Sequence, residues 1–191
     1  MLDSETILAA TEGVLRRYGP AKATVVDVAR ALDVSHAAVY RHFPSKTALR
    51  EAVIRRWITG GRDDVARIVE DTRQAPPERM RAWILALFAS KRARLREDPE
   101  LFATYRLLVA DHSGVAAEHV ADLLGQIRRI YEDGVASGHF AAGDAEKSAR
   151  AVFEATSWYH NPFYVGGWLA EDADANLGIL CDLLLNGLRT R

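Results

Sequence analysis

The chain has one cysteine, Cys181, in 191 residues. A single thiol cannot close an internal disulfide, so packing alone must hold the fold, and the expected compartment is a bacterial-type cytoplasm or its equivalent. No run approaches 18 uninterrupted apolar residues, which excludes a bilayer-spanning helix. The opening residues, Met1-Leu2-Asp3-Ser4-Glu5, lack the basic-then-apolar order of a secretory leader. Alternating β-branched runs are missing too; Thr24-Val25-Val26 comes closest and is too short for a strand. There is no Gly-x-Ser-x-Gly elbow, P-loop or Gly-x-Gly-x-x-Gly, and Gly60-Gly61 and Gly166-Gly167 follow no strand. No catalytic site, and so no enzyme, is expected. Asp111, His112, His119 and His160 are the nearest thing to a metal set. None shows His-x-x-x-His spacing, so they read as surface histidines, with no metal or cofactor expected. A formal net charge of −1 argues, taken whole, against nucleic acid.

What is present is ordinary globular material, 49% hydrophobic and 27% charged, long enough for one large domain or two small ones. Alanine, the best helix former, makes up roughly one residue in six. The spacing of apolar residues predicts an all-α chain of about nine helices. The first runs from about Asp3 to Tyr18 and stops at Gly19-Pro20. Thr24 caps the second, which reaches Leu32, and Ser35 caps a short third over His36 to Phe43. A long fourth helix is expected over about Lys46 to Arg73, with Leu49, Val53 and Trp57 on one stripe and Gly60-Gly61 as a soft point. Further helices are expected over Glu78–Glu97, from Pro99 to about Ala110, and on to Ser137. Asp144 caps one reaching about Tyr159, and Asp174–Leu188 forms the last. That last helix is apolar on two faces, with Ile179 and Leu183 on the second, so it is buried on both, in a core or across a subunit contact.

The informative stretch is Thr24 to Leu49, TVVDVARALDVSHAAVYRHFPSKTAL. Small Ala29, a turn at Asp33-Val34 and branched Val39 are what two helices need to cross steeply. This is the spacing of a helix-turn-helix, whose second helix lies in a DNA major groove. On that reading His36, Ala37, Ala38 and Arg41 are placed to read bases: Arg41 on guanine, an alanine on a thymine methyl. Lys46, at a helix start, is placed to pair with a phosphate. Phe43 and Val39 read as core.

Gly19, Thr24, Val28-Ala29, Val34-Ser35, Tyr40, His42-Phe43-Pro44, Ser45-Lys46 and Leu49 together resemble the DNA-binding region of TetR-type (tetracycline-repressor-like) transcription regulators. The run Tyr-x-His-Phe-Pro-Ser-Lys-x-x-Leu is its most specific part. Asp33 departs from the usual turn glycine, at modest cost, since Asp tolerates the left-handed region. The resemblance implies a helix-turn-helix DNA-binding domain over residues 1–47. A ligand-binding and dimerisation domain over 48–191 would be joined to it by the fourth helix. It also implies that Thr24, Tyr40 and His42 touch the DNA backbone, beside Ser35 at the head of the recognition helix. The expected partners are a palindromic double-stranded operator, a second copy through the last two long helices, and a partly apolar small molecule. No membrane partner is expected.

Charge becomes local on this reading. From Ala21 to Ile58, 7 basic residues stand against 3 acids, giving +4; elsewhere 18 stand against 23, giving −5. The basic end suits phosphate. In the rest of the chain, Trp83, Phe88, Phe102, Tyr105, Trp158, Tyr159, His160 and Phe163 are the candidate ligand-binding residues, since pockets are lined mostly by aromatics with a few polar groups. The densest cluster, Trp158 to Tyr164, either lines a pocket or packs a dimer contact. Cys181 reads as a small buried hydrophobe. The expected function is a ligand-responsive repressor released from its operator. The alternative is a DNA-binding regulator with no small-molecule ligand, acting by occupancy or through a partner protein.

Overall fold

The computed structural model describes residues 2–59 and 63–189. They form ten α-helices and two 3-10 turns: α1 (Ser4–Lys22), α2 (Val25–Ala31), α3 (His36–Tyr40), α4 (Lys46–Thr59), α5 (Asp63–Glu70), α6 (Pro76–Glu97), α7 (Pro99–Ala110), α8 (Gly114–Ala136), α9 (Ala145–Ala155), the 3-10 turns Ser157–Tyr159 and Pro162–Gly167, and α10 (Ala173–Leu188). The all-α expectation holds, with no strand among the described residues. Of the stretch read as one long fourth helix, α4 and α5 are described, and Gly60-Gly61, the expected soft point, lies between them outside the described residues. No helix among the described residues is long and apolar enough to cross a membrane.

The chain divides into two compact units, Met1–Gly61 with Arg94–Ala117, and Arg62–Ala93 with Glu118–Arg191. In the first, Asp3 opens α1 by accepting the Thr6 N–H at 2.7 Å. Ile7, Thr11, Val14 and Leu15 turn one face of α1 inward. The helix breaks at Gly19, whose φ of 71° lies in the left-handed region where glycine carries no steric cost. A side chain there would also strike the Glu100 carboxylate at 2.8 Å. Helix α7 packs along α1 and α4. Asp98, just before it, receives both Nε and Nη2 of Arg16, at 2.8 to 3.2 Å. So α7 folds with the N-terminal helices and is part of their unit.

In the second unit the interior is built from Met80, Trp83, Ile84, Leu87 and Phe88 of α6, Leu123, Ile127 and Ile130 of α8, and Leu177, Cys181 and Leu185 of α10. Each such aliphatic side chain contributes about 1.5–3 kcal/mol by leaving water. Trp83 is wholly buried and satisfies its indole N–H on the Gln126 side-chain oxygen at 2.7 Å. Arg79, also buried, ties α5 to α8: it donates to the Val69 carbonyl and the Asp133 carboxylate, both at 2.8 Å. Arg92 holds Asp174 of α10 with two bonds of 2.8 Å. Only one of the two apolar faces expected to be buried on α10 is buried on this chain. Leu177, Cys181 and Leu185 point inward, while Ile179 and Leu183 stand 59% and 66% exposed on the single chain.

Candidate nucleic-acid interface

Helices α2 and α3 are short, and capping defines both. Thr24 accepts the Asp27 N–H at 3.2 Å while Asp27 accepts the Thr24 N–H at 3.1 Å, a closed capping box. The Thr24 hydroxyl also donates to Asp27 at 2.6 Å, and chiefly this bond holds the Asp27 carboxyl below the usual range. Ser35 accepts the Ala38 N–H at 3.2 Å and so starts α3. Between the helices Asp33 takes a φ of 53°, the left-handed geometry expected of the turn. The Val34 N–H then closes onto the Ala29 carbonyl at 3.0 Å. Val28 and Ala29 of α2, Val39 of α3, and Leu49 and Val53 of α4 are buried. Phe43, read as core beside Val39, is only half-buried, at the rim of this packing.

This scaffold sorts the residues picked from sequence. His36, Ala37, Tyr40 and Arg41 are exposed on α3 and its last turn, with His42 directly after. Tyr40 is 42% exposed, and its ring meets His36 edge-on at 6.3 Å. Thr24 and Ser35 are exposed at the heads of their helices. His42 lies 3.4 Å from the Ser4 hydroxyl, so the start of α1 braces it. Lys46 is half-buried at the start of α4. Burial, then the charge of Arg50, lowers its pKa, and Asp27 opposes them. Ala38 is the correction. At 7% exposure it faces Val39's side of the helix, because an alanine fits where α3 presses on the core. Of the two alanines expected to meet a thymine methyl, Ala37 is the exposed one.

The ligand candidates fall into two groups. Phe102 and Tyr105 belong to the first unit, where their rings lie 6.3 and 6.2 Å from that of Trp57. Trp83, Phe88, Trp158, Tyr159, His160 and Phe163 belong to the second. There Phe88 is buried edge-on against Tyr159 at 5.3 Å and Trp168 at 6.3 Å. The cluster at Trp158 to Tyr164 splits in two. Tyr159 and His160 turn inward, while Trp158, Phe163 and Tyr164 turn outward, Phe163 at 64% exposure. Trp158 stacks on Tyr164 at 4.9 Å. An open depression of about 520 Å³ is lined by Arg67, Ile68, Glu70, Asp71, Thr72 and Arg73, none of them a candidate ligand-binding residue.

Two of the three histidines read as surface residues are in fact buried, His119 and His160; His112 is exposed. The Nε2 of His160 lies 2.9 Å from the Phe153 carbonyl. Burial above all drives its pKa down to about 4, with the Lys91 charge adding to the shift against that hydrogen bond. Lys91, itself buried, lies 3.0 Å from the Nε2 of His119. No group of three or more metal-ligating side chains forms among the described residues. Cys181 is fully buried, as expected, and burial raises its thiol pKa.

Sequence reasoning missed Arg94. Its Nη1 donates to the Trp57 carbonyl at 2.6 Å and its Nη2 to the Ile58 carbonyl at 3.3 Å, at the last turn of α4. Its guanidinium lies over the Trp57 ring, 4.5 Å from the centroid. Only the position of Trp57 at the end of the Leu49-Val53 stripe hinted at this contact.

An exposed α3 on a capped helix-turn-helix defines the class: a helix-turn-helix DNA-binding regulator. The family follows from comparison. Residues 7–53 match the N-terminal model of bacterial regulatory proteins of the tetR family, and residues 76–181 match the tetracyclin repressor-like C-terminal domain. The chain belongs to the TetR family of transcriptional regulators. Among solved structures, a Rhodococcus sp. RHA1 protein of unknown function is 23% identical with a TM-score of 0.74, covering 98% of this chain and 95% of its own. SmeT, the repressor of the Stenotrophomonas maltophilia multidrug efflux pump SmeDEF, is 21% identical with a TM-score of 0.70, covering 100% of this chain and 92% of its own. The regulator FadR from Bacillus subtilis, solved with stearoyl-CoA, is 17% identical with a TM-score of 0.69, covering 98% of this chain and 100% of its own. At these identities the likeness is one of fold. No curated protein matches the chain by sequence.

Proposed function

We propose that the protein is a non-catalytic homodimeric repressor of the cytoplasm, which leaves a palindromic operator when a partly apolar small molecule binds. The observation that carries the reading is the exposed row His36, Ala37, Tyr40, Arg41 and His42, raised on a capped scaffold in a segment of charge +4. Arg41 and His36 read base edges; Thr24, Tyr40, His42 and Lys46 set register on the phosphates. Ile179 and Leu183, with the outward aromatics of the Trp158 segment, supply the apolar surface for the second copy. Ligand response is supported by two relatives in fold, one a repressor of an efflux pump, the other bound to stearoyl-CoA.

Two recognition helices must then enter successive major grooves, about 34 Å apart or a multiple of it. Helix α4 starts beside α3 at Lys46 and spans about 21 Å at 1.5 Å per residue. Tilting it changes the separation of the two readers. A ligand achieves this only by binding the two states unequally; a hundredfold preference supplies about 2.7 kcal/mol. Footprinting on the DNA upstream of the chain's own gene tests the reading. Two protected half-sites, one or more helical turns apart, are expected. A single half-site, or no protection at all, defeats it.

A further inference from the structure

The first unit contains a cation that the DNA-reading role does not use. Arg94 inserts its guanidinium between the last carbonyls of α4 and the Trp57 indole, with Tyr105 and Phe102 ringed around that indole. A guanidinium has five N–H donors in a planar fork, and the two described bonds go to neutral carbonyls, which are weaker acceptors than a carboxylate. The acids close in sequence do not take it. Asp98 is already held on both oxygens by Arg16, and Glu97 is exposed. Burial lowers the Arg94 pKa, opposed by the nearby Tyr105, Glu97 and Asp98.

We infer that Arg94 is the receptor for an anionic head group, a carboxylate on an apolar or aromatic body, and that the anion competes with the α4 carbonyls for it. In the DNA-competent state Arg94 holds the Trp57 and Ile58 carbonyls of α4 and lies over the Trp57 ring. An arriving carboxylate offers the same fork two charged acceptors, and its body packs on the half-buried Trp57 ring, with Phe102 and Tyr105 buried behind it. Helix α4 then loses the two bonds to its Trp57 and Ile58 carbonyls. This helix begins at Lys46, next to the recognition helix, so the loss is felt at the DNA-reading end. Arg94 acts on DNA only through α4, as a positioning residue. The inference rests on the ligand-responsive reading above and names its ligand class.

The test titrates full-length protein into labelled upstream DNA and follows anisotropy, with benzoate as probe and benzamide as its neutral isostere at matched ionic strength. Benzoate, and not benzamide, should lower wild-type operator affinity by between about 5-fold and 150-fold, the usual range of allosteric coupling. Arg94→Met should bind the operator more weakly without benzoate and show no further response. Arg94→Lys keeps a charge and a donor, so it should recover most of the affinity and respond less than wild type. A purely structural Arg94 would not separate benzoate from benzamide. Equal effects of the two probes on wild type, or a full benzoate response in Arg94→Met, would overturn the inference. If Arg94→Met fails to fold by circular dichroism, the response of Arg94→Lys decides: undiminished, it refutes. If wild type does not bind the DNA at all, the regulator reading fails instead. The anion site is then judged by thermal melting, where benzoate must raise the midpoint of wild type and not of Arg94→Met.

Discussion

Gly134→Ala sets two general effects against each other, and the structure decides which wins. Gly134 is inside α8, where exchange to alanine gains about 1 kcal/mol in helix propensity. A Cβ at this position, however, would lie 2.0, 2.5 and 2.8 Å from three ring carbons of Phe140. Phe140 cannot retreat. Its ring is buried and stacked on Tyr131 at 5.9 Å, and its N–H is bonded to the Gly134 carbonyl at 3.0 Å. Tyr131 is pinned in turn by its hydroxyl, which donates to the Ala141 carbonyl at 2.7 Å. Overpacking of this kind costs about 1–3 kcal/mol, more when no neighbour can yield. The upper part of that range applies here, so the net effect is a loss of about 1–2 kcal/mol. In a chain of this length each kcal/mol lowers Tm by about 2–4 °C. Thermal melts of the two proteins measure it, and Gly134→Ala/Phe140→Leu should recover part of the loss through coupling. A variant that melts above wild type would show propensity to dominate and refute the packing argument.

Lys46→Ala should weaken binding to all DNA sequences alike and reduce the slope of log affinity against log salt by about 0.9 per subunit, measured by anisotropy over a salt series. A changed base preference would reassign Lys46 to direct readout. Thr24→Ala removes the α2 cap and should cost about 0.5–2 kcal/mol in urea unfolding. His160 makes stability depend on pH. Its folded pKa of about 4 lies below the unfolded value of 6.5, so the unfolded state takes up the proton first. Stability is complete above pH 6.5 and falls as pH drops toward 4, by about 3 kcal/mol in all. Urea midpoints across that window should show the slope in wild type and not in His160→Gln.

The DNA-reading end was legible because its signals are local. Thr24 and Ser35 cap through their own side chains, Gly19 breaks α1 through its backbone, and Asp33 takes the left-handed turn, all within a few residues of chain. What the sequence hid depends on distant packing. Ala38 differs from Ala37 only in which side of a five-residue helix the core covers. The aromatic run Trp158 to Tyr164 alternates between inside and outside because two 3-10 turns bend it, and no helical period describes such a path. His119 and His160 read as surface residues because burial of a histidine leaves no mark in sequence. Arg94 reads as one of many arginines on α6, and only its contact with the end of α4 sets it apart.

Reading of a specific DNA sequence by α3 is measured by the specificity ratio. Anisotropy at one stated salt concentration would compare the DNA upstream of the gene with a scrambled duplex of equal length and composition. The upstream DNA should bind at least about 10³-fold more tightly, the lower end for specific recognition. Equal affinities for the two duplexes would contradict it.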